Sequence, residues 1–241
     1  MFDKNHIYFE VINSTNEFAL SLRRMPLFRE GLIISTQYQS KGKGQKGKKW
    51  FSKKGLNILL SIVIEPRISL KKQFDISKLV SLSCYNFLLC LGLSPRIKWP
   101  NDILINNKKI AGVLIQNVVS NNIISHSVIG IGLNINQHNF PQFTPSATSV
   151  SLELNKQQNC IDLRDKFLEN LAKYLSAYRK GCDLDIAYHQ ALFLKDKTAK
   201  FQQGKQEFNG IIRRVSLNGT LQVEVNKRLK EFKTQEVKFI F

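Results

Sequence analysis

The chain has 241 residues, 43% of them apolar, which is enough for one large domain, a small appendage and a substantial core, and too apolar for disorder. Lysine and arginine number 36 against 18 acidic residues, a net charge of +18. The excess is nearly all lysine and is spread along the chain, so it suits an anionic substrate or an acidic protein partner as well as nucleic acid.

No apolar run approaches the roughly 20 residues of a membrane helix, so no membrane contact is expected. Met1-Phe2-Asp3-Lys4-Asn5 lacks the basic, apolar and small-residue segments of a signal peptide, and a cytoplasmic protein is expected. Ile7–Val11 alternates like a half-buried strand. Ser14-Thr15-Asn16-Glu17 then fits a capping box opening a short helix to about Arg24. Leu32–Tyr38 reads as a strand, Ser40 to Gly55 has no period, and Asn57–Ile64 is the next strand. Phe74–Leu91 has helical spacing and stops at Gly92, a C-cap residue.

From Arg96 to Asn134 the pattern is β. Arg96–Trp99 meets the turn Pro100-Asn101-Asp102, and Ile103–Ile105 meets an Asn106-Asn107 hairpin signal. Ile110–Val119 and Ile123–Ile131 are long strands joined at Asn121-Asn122. Helices are expected over Asp162–Arg179 and Asp183–Leu194, each opened by an aspartate cap. Beyond Asp196, Thr198–Phe201, Glu207–Val215, Leu221–Val225 and Lys233–Phe239 read as short strands of a small β-barrel-like domain, separated by Gln203-Gly204 and Asn218-Gly219 turns. The expected class is α+β: a mixed sheet packed with helices over residues 1–195, and a small C-terminal β-barrel domain over 196–241.

Cys84, Cys90, Cys160 and Cys182 form no CxxC pair, so zinc is not expected, and Cys84 and Cys90 read as buried reduced thiols. The histidines are isolated, and neither GxSxG nor HExxH occurs.

Gly42-Lys43-Gly44-Gln45-Lys46-Gly47 matches GxGxxG, but no helical pattern follows it, so a dinucleotide fold is not supported; nor is a Walker A loop. Its glycines let backbone N–H groups approach an anion, its lysines supply mobile charge, and Trp50 offers a flat apolar face. Lys98-Trp99-Pro100-Asn101-Asp102 puts an amide and a carboxylate on a rigid turn, where Asp102 could be catalytic or could bond backbone N–H groups. Lys109-Ile110-Ala111-Gly112 carries a lysine into a buried strand, where it needs an anionic partner. Gly130 and Gly132 in a strand imply close contact with another body.

Taken with Ser14-Thr15-Asn16 and Gln39, these segments, in this order, resemble the catalytic module of the biotin–protein ligases. The C-terminal strands resemble that family's small barrel more weakly. The resemblance implies activation of biotin by ATP with Mg2+, giving biotinyl-5′-AMP, followed by transfer to a lysine of a biotin carboxyl carrier protein, as in acetyl-CoA carboxylase. By the same resemblance, Lys109, Asp102 and Lys43 are catalytic: Lys109 on the carboxylate and phosphate, Lys43 on the closing loop, Asp102 orienting the acceptor amine. Ser14, Thr15, Asn16, Gln39, Gly42, Lys43, Gly112, Leu114 and Gly130 are implied to line the biotin pocket. Gly44, Gln45, Lys46, Gly47, Lys48, Trp50, Asn101, Lys109 and Asn134 are implied to meet the nucleotide. No protein metal ligand is assigned.

Two departures stand out. Gln45 occupies a loop position where the family usually has arginine, so Lys43, Lys46 or Lys48 is expected to take over the anion. The chain also begins at the first catalytic strand, without the helix-turn-helix of some relatives, so no sequence-specific DNA binding is expected. The family includes monomers and dimers, which leaves a homodimer open. A lipoate–protein ligase or octanoyl transferase of the same superfamily is the nearest rival, and a basic nucleic-acid-binding protein is the rival from another class.

Overall fold

The computed structural model describes residues 5–241; residues 1–4, where the sequence shows no leader pattern, lie outside the described residues, as does the side chain of Lys46. The alternating first segment forms β1 (Asn5–Ile12), which pairs in parallel with β2 (Leu32–Gln39). Between them Ser14 caps α1 (Thr15–Ser21), its hydroxyl accepting from the Glu17 N–H at 3.4 Å. The apolar β3 (Asn57–Ile64) is buried along its whole length and runs antiparallel to β2. A two-residue strand, β4 (Ile68–Ser69), leads into α2 (Gln73–Cys90), which ends before Gly92 at φ +83°.

Strands β5 (Pro95–Lys98), β6 (Asp102–Ile105), β7 (Lys108–Ser120) and β8 (Ile123–Asn134) form an antiparallel meander. Its expected hairpin turns are present: Asn106, Asn107, Asn121 and Asn122 all adopt the left-handed conformation that such turns demand. The sheet order is β1-β2-β3-β8-β7-β6-β5, with β4 added to β8. Helix α3 (Val150–Leu154), which the sequence reading did not expect, precedes α4 (Cys160–Arg179) and α5 (Asp185–Ala191). The expected aspartate cap of α4 is corrected: Asn159 caps it, its side chain accepting from Ile161 and Asp162, while at α5 the N-cap residue Leu184 makes no side-chain bond and Asp183, one residue earlier, accepts from the Asp185 N–H at 2.8 Å.

Side chains alternate across the sheet, so one face carries Ile58, Leu60, Ile62, Val113, Ile131 and Leu133 into the main core with α2 and α4. The opposite face carries α1 and a smaller apolar cluster of Ala19, Leu32, Ile34, Val63 and Val128. Cys84 is buried, but Cys90 is exposed, because it falls on the outer side of the last turn of α2.

The C-terminal residues form a second sheet from β9 (Thr198–Gln203), β10 (Gln206–Val215), β11 (Leu221–Val225), β12 (Arg228–Phe232) and β13 (Lys238–Phe239), in the order β12-β11-β10-β9-β13. The sheet is open rather than a closed barrel. The single strand expected over Lys233–Phe239 is corrected: Asn226 and Lys227, both at positive φ, turn the chain early, so pairing resumes at Arg228 and the last strand has two residues.

Candidate active site

The face of the sheet opposite α2 has a floor of glycines. Gly112 pairs with Gly132 across β7 and β8, and Leu114 with Gly130. Above this floor lies the indole of Trp50: a methyl group at Gly132 would sit 2.3 Å from its Cε2, and one at Gly112 2.9 Å from its Cζ3. Above Gly130 lies Asn16, whose Oδ1 would be 2.3 Å from an added Cβ. These glycines are therefore required by close approach rather than by backbone conformation.

A β-bulge aims the lysine. Asp102 pairs with Gly112 and Ile103 with Ala111, but Leu104 pairs with Lys109, so Ile110 is the extra residue. Without it, alternation would put Lys109 on the side of Ala111; with it, Lys109 shares a face with Asp102 and Gly112. Its Nζ reaches Asp102 Oδ1 at 2.6 Å and stands 5.3 Å from the Trp50 ring centroid. The backbone of Lys109 is held by Ser146 and Thr148, through bonds of 2.7 and 2.9 Å. The lysine has the anionic partner expected of it, but its side chain is 29% exposed, so it is not a fully buried strand residue. The other Asp102 oxygen is 3.4 Å from Nζ of Lys98, its cross-strand neighbour. Burial lowers the Lys98 ammonium's pKa below its ordinary value; the nearby Asp102 carboxylate opposes this, while Lys109 and Lys48 add to it.

Thr15, Asn16, Gln39 and Ser61 form a polar network beside the glycine floor. Gln39 Oε1 accepts from the Thr15 N–H at 2.8 Å and its hydroxyl at 3.1 Å. Ser61 Oγ lies 2.7 Å from Thr15 Oγ1 and 2.5 Å from Asn16 Oδ1. Asn16 Nδ2 donates to the Leu114 carbonyl and to Gln116 Oε1. Ser14, Asn16, Glu17, Lys43, Gly44, Gly47, Leu114 and Gln116 surround a cavity of about 210 Å³. Glu17 and Gln116 join the site without having been expected; Gln116 was legible only as a polar residue in an apolar strand.

The glycine–lysine loop folds back on itself as a cover. The Trp50 N–H donates to the Gly42 carbonyl, Gly44 donates to Lys48, and Gln45–Gly47 makes one 3-10 turn. In this structure the Lys43 ammonium pairs with Glu17, and both residues border the cavity of about 210 Å³, whereas Lys109 pairs with Asp102. Lys48 is exposed. Gln45 and Asn101 border a different cavity of about 230 Å³, on the α2 side of the sheet. The Asn101 amide donates to the Val113 carbonyl at 2.6 Å and so anchors the turn. Asn134 Nδ2 donates to the Thr148 carbonyl, leaving Oδ1 buried without a protein partner, and Trp50 Nε1 is likewise unpartnered. Trp50 Nε1 lies over Gly132 on the glycine floor, where an orphaned donor is a group that a bound molecule can satisfy.

The model of the biotin/lipoate A/B protein ligase family matches residues 8–134. The bifunctional ligase/repressor BirA of Bacillus spizizenii is 34% identical over 151 residues, covering 60% of this chain and 46% of that protein, so the chain spans about half the length of that relative. BirA of Escherichia coli is 27% identical over 241 residues, covering 94% of this chain and 71% of that protein. The solved structure of the Aquifex aeolicus biotin protein ligase in complex with biotin and ATP superposes with a TM-score of 0.80 at 22% identity, covering 98% of this chain and 99% of that one.

Proposed function

The chain belongs to the biotin/lipoate A/B protein ligase family, and on that premise we propose that it is a biotin–protein ligase. It activates biotin with MgATP as biotinyl-5′-AMP and passes the biotinyl group to a lysine of a biotin carboxyl carrier protein. The observation that carries this reading is the Lys109 ammonium, aimed by its bulge between the Asp102 carboxylate and the Trp50 ring over a glycine floor.

In the first step an oxygen of the biotin carboxylate attacks the α-phosphorus of ATP, and pyrophosphate leaves. Two anions must meet, so catalysis rests on positioned cations and dipoles. Lys109 supplies the fixed cation, and the Gly42–Lys48 loop, whose Lys43 is paired with Glu17 and whose Lys48 is exposed, adds its cations by moving over the bound substrates. Magnesium would be carried in with ATP and would offset part of the phosphate charge; Asp102 is already engaged by two ammonium groups and is not offered as its ligand. In the second step the acceptor amine attacks the acyl carbon and AMP leaves. That amine must first lose a proton, and Asp102, 13% exposed, is the carboxylate placed to orient it or receive the proton. Thr15, Asn16, Gln39 and Ser61 offer the hydrogen bonds that a ureido ring needs, and Trp50 shields the anhydride from water. We take residues 1–195 as the catalytic unit and 196–241 as its small companion, a division supported by the separate sheet that begins at β9.

The reading is tested by supplying biotin, lipoate or octanoate with MgATP and following pyrophosphate release, then adding a carrier domain. Release with biotin alone is expected. Release with lipoate or octanoate but not biotin would replace this reading with that of the sister ligases.

A further inference from the structure

The C-terminal sheet reaches the catalytic turn at two places. Trp99 Nε1 donates to the Gly219 carbonyl at 2.9 Å, tying the β5–β6 turn to the β10–β11 turn. Farther along, the Lys98 ammonium faces two rings from the end of the chain, Phe239 with its centroid at 5.1 Å and Phe241 at 6.0 Å. Those rings are held by their own stack. Phe241 lies on Phe193 at 5.9 Å with 16° between planes, and Phe239 packs on Phe201 through the β13–β9 pairing. Phe193 is fixed in turn by its N–H bond to the Ile97 carbonyl, one residue before Lys98.

We propose that Lys98 is a positioning residue for Asp102, and that Phe239 and Phe241 form the wall that keeps its ammonium on that carboxylate. This role rests on the proposed ligase reading and gives the C-terminal sheet a part in the transfer step. Lys98 holds Oδ2 and Lys109 holds Oδ1, so the carboxylate is fixed at both oxygens and cannot rotate away from an incoming amine. Aromatic faces attract the cation while denying it water, which leaves Asp102 as its remaining strong partner. The charged groups around Lys98 are Asp102, Lys109 and Lys48, while Lys238, beside the wall, is exposed. With its pKa lowered by burial, Lys98 loses its proton at lower pH than an exposed lysine would.

The two half-reactions separate this idea from the reading beneath it. Activation is read as biotin-dependent pyrophosphate release in a single turnover, and transfer by mixing the loaded enzyme with carrier domain across a pH series. Lys98→Met is expected to slow transfer by at least about tenfold, the scale of one lost charge-assisted bond, and activation by much less. Lys98→Arg is expected to restore transfer and to move its alkaline fall to higher pH, because a guanidinium keeps its proton. Phe239→Leu/Phe241→Leu is expected to move that fall in the same direction by hydrating Lys98. Equal slowing of both half-reactions with an unchanged pH profile would reduce the wall to a structural contact and overturn the proposal, as would unchanged transfer in all three variants. Absence of activation in the unsubstituted protein would overturn the ligase reading instead.

Discussion

Lys109 and Asp102 stand on neighbouring strands with their charged atoms 2.6 Å apart, and one inserted residue, Ile110, puts them on the same face of the sheet. The pair joins the two reactions of the proposed mechanism, with the cation serving activation and the carboxylate serving transfer. It also makes the cleft sensitive to anything that tilts the floor beneath it.

Gly132→Ala tests the floor. The added methyl group would overlap Trp50 Cε2 at 2.3 Å and Cζ2 at 2.5 Å, so the indole must lift. Its fluorescence should shift to the red while Trp99, 2% exposed, keeps its emission as an internal reference. The KM for biotin should rise roughly tenfold or more, as small displacements of positioning groups do. An unchanged spectrum with an unchanged KM would remove Trp50 from the site.

Gln45→Arg tests the departure in the loop. Arginine offers phosphate a two-pronged contact that glutamine and lysine lack. Release of biotinyl-AMP into solution should slow by about fivefold, the effect of one modest phosphate contact. Gln45 borders the cavity on the α2 side, not the one at Lys43, so equal release from both proteins would show that this position never meets the nucleotide.

The fold has its own buried charge. Lys78, 1% exposed, pairs with Asp75 at 3.2 Å and with Asp185, and Tyr178 donates to the other Asp75 oxygen at 3.1 Å, joining α2, α4 and α5. Lys78→Ala leaves two carboxylates without their cation and should cost about 3–5 kcal/mol in urea denaturation. A loss under about 1 kcal/mol would mean that water replaces the lysine at no penalty.

A second charge cluster predicts a pH dependence. Hydrogen bonding to Arg179 holds the Glu30 carboxyl below its ordinary value of 4.5. Since the folded value is the lower one, the contribution to stability is present above pH 4.5 and is lost as pH falls through the lowered value. Arg179→Gln should therefore reduce stability at neutral pH and flatten the acid fall of the denaturation midpoint. Parallel acid profiles for the two proteins would contradict this.

Much of this was legible from local chemistry. The Asn-Asn turns, the Ser14 cap and the Gly92 stop sit where short-range rules place them, because each is decided by a few adjacent residues. Lys109 and the glycines could be singled out because a charge or a bare backbone in an apolar strand has few ordinary reasons to be there, Asp102 as a carboxylate on a rigid turn, and Trp50 as a flat apolar face beside a glycine-rich loop. What could not be read were long-range choices. The bulge at Ile110 follows from strand pairing, the turn of Lys43 toward Glu17 from tertiary packing, and the early turn at Asn226-Lys227 from the pairing of β11 with β12. The two phenylalanines over Lys98 come from the far end of the chain, and no spacing rule connects them.

The most direct test of the central claim is the mass of a biotin carboxyl carrier domain after incubation with this protein, biotin and MgATP, run beside Lys109→Ala. The account predicts the addition of one biotinyl group with the unsubstituted protein, and at least about a hundredfold slower addition with the folded variant. Equal rates for the two proteins, or a carrier of unchanged mass in both, would contradict it.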